Sequence, residues 1–262
     1  MTIPQAIILG AVQGVSEFLP ISSDGHLSLV QQWFGLTENL LTFDVFLHFF
    51  TFLAVVLFFI RDIFRLRVKD YMVLAVGTVP AVIVGLLFKD TVEQLLLSTA
   101  FVGGALIVTG VLNFMAHARF KKQSGAHSEQ GDHFLPKDVS YVHALGIGVL
   151  QSIAILPGVS RSGSTVAGGS FVGMSRIEAF RFSFLLGLPA IFGASLLQGY
   201  ELYTAGLGSF PPSVLAAGGL TAGLVGFASL SLFALIIRKG HLDIFGWYCV
   251  LLGGAVLLST QM

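Results

Sequence analysis

The chain has 262 residues, 55% of them hydrophobic and only 11% charged, with 31 glycines and 24 phenylalanines. Soluble domains carry roughly 25% charged residues and about 7% glycine, so the composition excludes a soluble fold and indicates an integral membrane protein. The formal net charge is zero and gives no electrostatic case for nucleic acid, and the single cysteine, Cys249, allows neither an intrachain disulfide nor a cysteine metal site.

In chain order, the first apolar segment, 3–34, is interrupted at Pro20, and each half is too short to cross a bilayer. Three full spans are predicted next, over about 42–60, 70–88 and 99–118. The polar stretch "RFKKQSGAHSEQGDHFLPKDVS" fills 119–140, and a second broken segment, 141–176, is interrupted at Pro157-Gly158. Spans over about 178–199, 212–237 and 241–259 complete the chain. None resembles a cleavable signal peptide, because the first basic residue is Arg61.

The two broken segments resemble each other. "GAVQGVSEFLPISSDGH" and "GIGVLQSIAILPGVSRSGS" share a glycine, a glutamine (Gln13, Gln151), Leu-Pro and a serine-rich turn, and each precedes a phenylalanine-rich span. A unit of one re-entrant hairpin plus three spans has an odd number of crossings, so its second copy is expected to be inverted. The predicted fold is therefore all-α and polytopic: one membrane domain, 1–262, with six transmembrane helices and two broken re-entrant helical hairpins. Repeat one is 1–118, the joining loop 119–140 and repeat two 141–262.

Basic residues orient this arrangement. With the amino terminus outside, Arg61, Arg65, Arg67, Lys69, Arg119, Lys121, Lys122, Lys137, Arg176, Arg181, Arg238 and Lys239 fall inside, against Lys89 alone outside and with Arg161 set aside. The positive-inside rule then puts both termini on the outer face and the 119–140 loop in the cytoplasm.

Polar groups in hydrocarbon cost several kcal/mol unless something satisfies them, so the polar clusters at the two breaks need an explanation. Gln13 and Glu17, four residues apart, share a helix face that points at the first break. Beyond it, Ser22 or Ser23 is placed to cap the next half-helix, with His26 in its first turn. At the second break, "PGVSRSGST" offers an anion the N–H groups of a helix start, the hydroxyls of Ser160, Ser162, Ser164 and Thr165, and the fork of Arg161. The plainer alternative is that Arg161 only neutralises Glu17 or Asp24. Glu17 and His26 suit acid–base chemistry, Ser22 or Ser23 suits a nucleophile, and Glu17, with Gln13 and Asp24 as further ligands, is the candidate metal position.

Other polar residues read as structural. Asp44 and His48, four apart, are expected to form a supporting buried pair, and Glu178 and Arg181 an interfacial one. His117, His127 and His133 fit no standard metal spacing. The glycine-rich stretches "LAAGGLTAGLVGF" and "VLLGGAVLL" are expected to pack around an apolar groove for a lipid tail.

"AVQGVSEFLPISSDGHL", "LPGVSRSGST" and "FSFLLGLPA" together resemble the undecaprenyl pyrophosphate phosphatase family of the bacitracin-resistance type, over essentially the whole chain. The family's first motif falls on Gln13 and Glu17, its Ser-Ser-x-Gly-His stretch on Ser22, Ser23, Gly25 and His26, and its Pro-Gly-x-Ser-Arg-Ser stretch on Pro157, Gly158, Ser160, Arg161 and Ser162, with Thr165 following. Gln13 stands where glutamate is commoner, and Asp24 where a small polar residue is usual.

The resemblance implies a bacterial plasma-membrane enzyme that removes the terminal phosphate of undecaprenyl diphosphate, using a divalent cation (Mg2+ or Ca2+) at a site reached from the outer face. Its partners would be the isoprenoid diphosphate and membrane lipids, with no nucleic acid, and a homodimer stays open as the assembly. On this reading Ser23 is the candidate nucleophile with His26 as its proton partner. Attack by a water that Glu17 or His26 activates is the rival. A transporter or lipid flippase is the alternative from another class, since inverted repeats with broken helices also suit transport.

Overall fold

The computed structural model describes residues 1–36, 40–123, 139–205 and 210–260. Most of the expected loop, 124–138 with His127, His133 and Lys137, lies outside the described residues. Every regular element among the described residues is helical: α1 Ile3–Phe18, α2 Ser23–Trp33, α3 Leu41–Phe58, α4 Ile60–Ile63, α5 Val68–Leu87, α6 Lys89–Leu96, α7 Thr99–Gln123, α8 Tyr141–Ile153, α9 Arg161–Phe171, α10 Arg176–Ala205, α11 Pro212–Lys239 and α12 Asp243–Ser259.

Among the described residues, four helices are long and apolar enough to cross a membrane: Val68–Leu87, Thr99–Gln123, Arg176–Tyr200 and Pro212–Lys239. The remaining two expected spans are apolar helices too, but shorter, Thr42–Phe58 and Asp243–Ser259. The first of these stops at Phe58 rather than 60 because the chain turns into the single-turn α4. The short helix α6 was not expected. Its sequence KDTVEQLL mixes charged residues with leucines in an amphipathic helix.

Both broken segments are helix–break–helix units, and in each the break precedes a short helix of 11 residues. Glycines fix where they pack. In α1, a methyl group at Gly10 would overlap the carbonyl oxygen of Gly218, and one at Gly14 would lie 2.7 Å from that of Ala222, so α1 runs alongside α11 in the same direction. In α8, a methyl at Gly148 would overlap the Gly77 carbonyl, while Tyr141 meets Met72 and Ile155 lies beside Gly85, so α8 runs parallel to α5. Backbones approach this closely only where no Cβ intervenes.

The other seams run antiparallel. Gly103 faces Gly253 and Gly110 faces Gly246 between α7 and α12. Between α3 and α10, Phe52 stacks on Phe192 and Phe59 on Phe184. Glycines of α11 and α12 also seat aromatic rings: Gly218 accommodates Phe43, Gly219 Phe50, Gly226 Phe18 and Gly246 Phe114, while a methyl at Gly254 would meet nothing within 4 Å.

Helix α7 ties the two breaks together. Thr109 Oγ1 donates to the Gly158 carbonyl at 2.8 Å and accepts the Ser160 N–H at 2.9 Å, while Asn113 Nδ2 donates to the Pro20 carbonyl at 2.7 Å. Each short helix also presents its first-turn glycine to the opposite break: a methyl at Gly25 would meet Gly158 Cα at 3.2 Å, and one at Gly163 would meet Pro20 Cβ at 3.4 Å. Gly158 itself has φ +95°, a backbone state that glycine adopts without strain.

Candidate active site

Helix α1 delivers Gln13 and Glu17, both buried, to the first break. The two short helices then converge on Glu17. Ser23, first residue of α2, donates its hydroxyl to Glu17 Oε2 at 2.7 Å, and Arg161, first residue of α9, pairs through Nη2 with Glu17 Oε1. Gln13 Nε2 donates to the same Oε2 at 3.2 Å. The carboxylate is thus held by a hydroxyl, an amide and a guanidinium, which is how a buried charge becomes tolerable.

Arg161 reaches Glu17 because residue 187 of α10 has no side chain. A methyl group there would overlap the guanidinium. Glu17, Ser22, Ser23, Asp24, Ser160 and Arg161 wall one side of a cavity of about 300 Å³. Its other side is apolar: Ala190, Ile191 and Ala194 of α10, Val92 of α6, and Ala154 and Ile155 at the second break, with Ser195 and Gln198 toward the end of α10. No residue of the glycine-rich stretches is among the described residues that line this cavity.

The remaining expected site residues divide by role. Ser160 caps α9 through Gly163 N–H at 3.1 Å and shares a hydrogen bond with Ser162, which in turn donates to the Leu19 carbonyl at 3.2 Å. Thr165 pairs with Ser183 of α10 and donates to the Arg161 carbonyl. Ser164 Oγ is buried with no partner among the described residues. Ser162, Ser164 and Thr165 therefore stand behind the cavity wall, bracing the turn that carries Ser160 and Arg161, and do not line it.

Three expectations are corrected. Ser22 is the N-cap residue of α2, yet neither serine makes a side-chain cap bond: Ser22 sits at φ +73°, the only non-glycine positive φ among the described residues, and Ser23 is drawn to Glu17 instead. Such strain persists only where the surroundings impose it. His26 does not meet Ser23. Its Nδ1 lies 2.7 Å from the Ser22 carbonyl and its Nε2 2.7 Å from the Tyr248 hydroxyl of α12, with the two rings stacked.

The Asp44–His48 pair is the third, in its partners rather than in its attraction: the two groups still interact electrostatically, but neither takes the other as its nearest partner. Asp44 accepts from Gln31 Nε2 at 2.8 Å, whereas His48 turns into the site, 3.0 Å from Gln13, 3.6 Å from Glu17 and 3.4 Å from Asp24. The i, i+4 spacing on one helix did not indicate this, because the partners come from α1 and α2. Of the other pairs, Glu178 caps α10 locally by accepting the Ser175 N–H at 2.8 Å, and His117 lies 3.3 Å from Asp243.

Fold and site together define a polytopic helical membrane protein whose two broken segments meet at a buried carboxylate–guanidinium pair beside a part-apolar cavity. Such a site suits an anion carrying a hydrocarbon tail. The chain belongs to the bacitracin resistance protein BacA family, whose model matches residues 6–255. It is 39% identical to the undecaprenyl-diphosphatase of Desulfosudis oleivorans over 97% of both chains. It is 38% identical to the undecaprenyl-diphosphatase of Methanosphaera stadtmanae, over 97% of this chain and 96% of that one, and 38% identical to that of Halothermothrix orenii, over 98% of each.

Proposed function

We propose that this protein hydrolyses undecaprenyl diphosphate to undecaprenyl phosphate and inorganic phosphate, recycling the lipid carrier for cell-wall synthesis and so conferring bacitracin resistance. The observation that carries the reading is Glu17 held at the cavity wall by Ser23 and Arg161 together, a nucleophile, a base and an anion receptor within one cluster. The name of the relatives supplies the substrate.

The proposed architecture is six spans plus two re-entrant hairpins in an inverted repeat, 1–118 and 141–262, joined by a cytoplasmic loop at 119–140. The reciprocal contacts support it: α1 on α11 matches α8 on α5, both parallel, while the corresponding helices α7 and α12, and α3 and α10, run antiparallel. The basic helix ends also share one face. Phe59 meets Phe180, Arg119 lies over Phe171, and Gly240 abuts Arg176. With that face in the cytoplasm of a bacterial plasma membrane, both termini are periplasmic, and the cavity, walled by Val92 and residues 190–198, opens to the outer half.

In the proposed reaction the Ser23 hydroxyl attacks the terminal phosphorus and passes its proton to Glu17 Oε2, to which it is already hydrogen-bonded. The bond to the bridging oxygen breaks and undecaprenyl phosphate departs. Water then hydrolyses the phosphoserine. Glu17 thus takes the proton role for which the sequence suggested His26. Incoming phosphate oxygens compete with Glu17 for the Arg161 fork, which frees the carboxylate to accept the proton while the guanidinium stabilises charge on the phosphoryl group. Ser160, with Ser22 and the N–H groups opening α9, completes the phosphate cradle, braced by Ser162, Ser164 and Thr165.

The donors available to a divalent cation are all oxygens: Glu17, Asp24, and Gln13 Oε1, which is buried with no partner among the described residues. No cluster of three acidic, histidine or cysteine ligands exists among the described residues, so Mg2+ or Ca2+ would be held by this set jointly with substrate phosphates. When bound, the ion neutralises phosphate charge.

The test is phosphate release from undecaprenyl diphosphate by purified protein in detergent with Mg2+ or Ca2+. Arg161→Ala and Glu17→Ala are each expected to lower turnover by about 10²–10³-fold with folding intact. A folded wild-type protein that releases no phosphate with either cation overturns the enzyme reading in favour of transport.

A further inference from the structure

Among the described residues, His48 is the only one of α3 on the cavity wall, and no motif points to it. Its ring stands between the two elements that build the first half of the site. Nδ1 lies 3.0 Å from Gln13 Nε2 and 3.6 Å from Glu17 Oε2. The ring's Nε2 faces Asp24 Oδ1 at 3.4 Å. The same Gln13 nitrogen donates to Glu17 Oε2, the oxygen that receives the Ser23 hydroxyl. One imidazole therefore fixes the amide that orients Glu17 on α1 and the carboxylate of Asp24 on α2.

The repeat sharpens the point. "FDVFLH" (43–48) and "FSFLLG" (182–187) correspond, with Phe43 and Leu47 matching Phe182 and Leu186, all four fully buried. His48 thereby occupies the place on α3 that Gly187 occupies on α10, and both places border the Glu17 cluster. At one, the missing side chain admits Arg161. At the other, the ring fills the space and holds Gln13 and Asp24.

We propose that His48 is a positioning residue for the phosphate-releasing reaction, holding Gln13 against Glu17 and Asp24 at the cavity wall. This rests on the phosphatase reading. A mere packing peg would be replaceable by any side chain of similar volume, whereas a positioning ring is replaceable only by groups that keep its hydrogen bonds.

The experiment compares phosphate release from undecaprenyl diphosphate by wild type, His48→Ala, His48→Leu and His48→Asn, whose amide can stand in for Nδ1 toward Gln13. His48→Ala and His48→Leu are expected to lose about 10²-fold in kcat with little change in KM, because a misplaced group costs rate rather than ground-state binding. His48→Asn is expected to regain about tenfold over the alanine variant. Leucine restoring wild-type kcat, or asparagine doing no better than alanine, overturns the proposal. An independent readout needs no activity: the ring-nitrogen NMR signals of His48 in the wild-type protein should change in Gln13→Ala and in Asp24→Asn. Signals indifferent to both substitutions overturn the proposal even if no phosphate is released, whereas absent release alone overturns only the phosphatase reading.

Discussion

A methyl group at Gly187 would overlap the end of the Arg161 side chain, while nothing else crowds the position. Because a guanidinium on a long stem swings aside more readily than backbone, Gly187→Ala is expected to leave folding intact yet displace Arg161 from Glu17 and lower kcat by about 10²-fold. Thermal unfolding alongside phosphate release separates the two effects. A variant with wild-type turnover would show that the Glu17–Arg161 contact is dispensable. Arg161→Lys addresses the fork itself: an ammonium carries the charge but not two parallel donors, so it should recover only part of what alanine loses. Motif spacing made Glu17, Ser23 and Arg161 legible because each sits beside a proline break. His48 was not legible, since its partners lie on other helices and only the alignment of two phenylalanine-rich spans hints at them.

At the scale of elements, the breaks could be read from the sequence and the seams could not. Pro20 and Pro157 end helices for a local reason, whereas which glycines meet backbone is decided by the partner helix. Gly148 and Gly146 share α8, but a methyl at Gly148 would overlap the Gly77 carbonyl, while one at Gly146 would meet nothing within 4 Å. Gly148→Ala should therefore destabilise by about 1–3 kcal/mol, the usual range for overpacking, and Gly146→Ala should be neutral or slightly stabilising. Equal unfolding midpoints for the two variants would refute the close α8–α5 approach. Gln151, which matches Gln13 in the repeat, is buried with neither amide atom partnered among the described residues. The second broken segment keeps the glutamine but has Ile155 and Gly187 where the first has Glu17 and His48, so only one of the two similar segments carries acid–base groups.

For the whole molecule, the proposed architecture has the two hairpins meeting after entry from opposite faces, and that makes orientation testable without any activity. Thr99 Oγ1 donates to Gln32 and Ser28 to the Leu96 carbonyl, so the end of α2 lies beside the start of α7, the face that also holds Phe43 and Phe210. The basic ends of α7, α10 and α11 gather on the other face. The native Cys249 is buried and leaves the background clean for labelling. Single cysteines at Thr2, Lys89 or Pro211 should react with a membrane-impermeant maleimide in intact cells, once the outer membrane, where there is one, is opened. Cysteines at Arg65, Lys122 or Lys239 should react only after the plasma membrane is breached. Labelling of Thr2→Cys and Lys122→Cys from the same side would sink the topology. It would also remove the physical reason for the site, since two hairpins entering from one face would not bring Ser23 and Arg161, each the first residue of its short helix, onto opposite sides of one carboxylate.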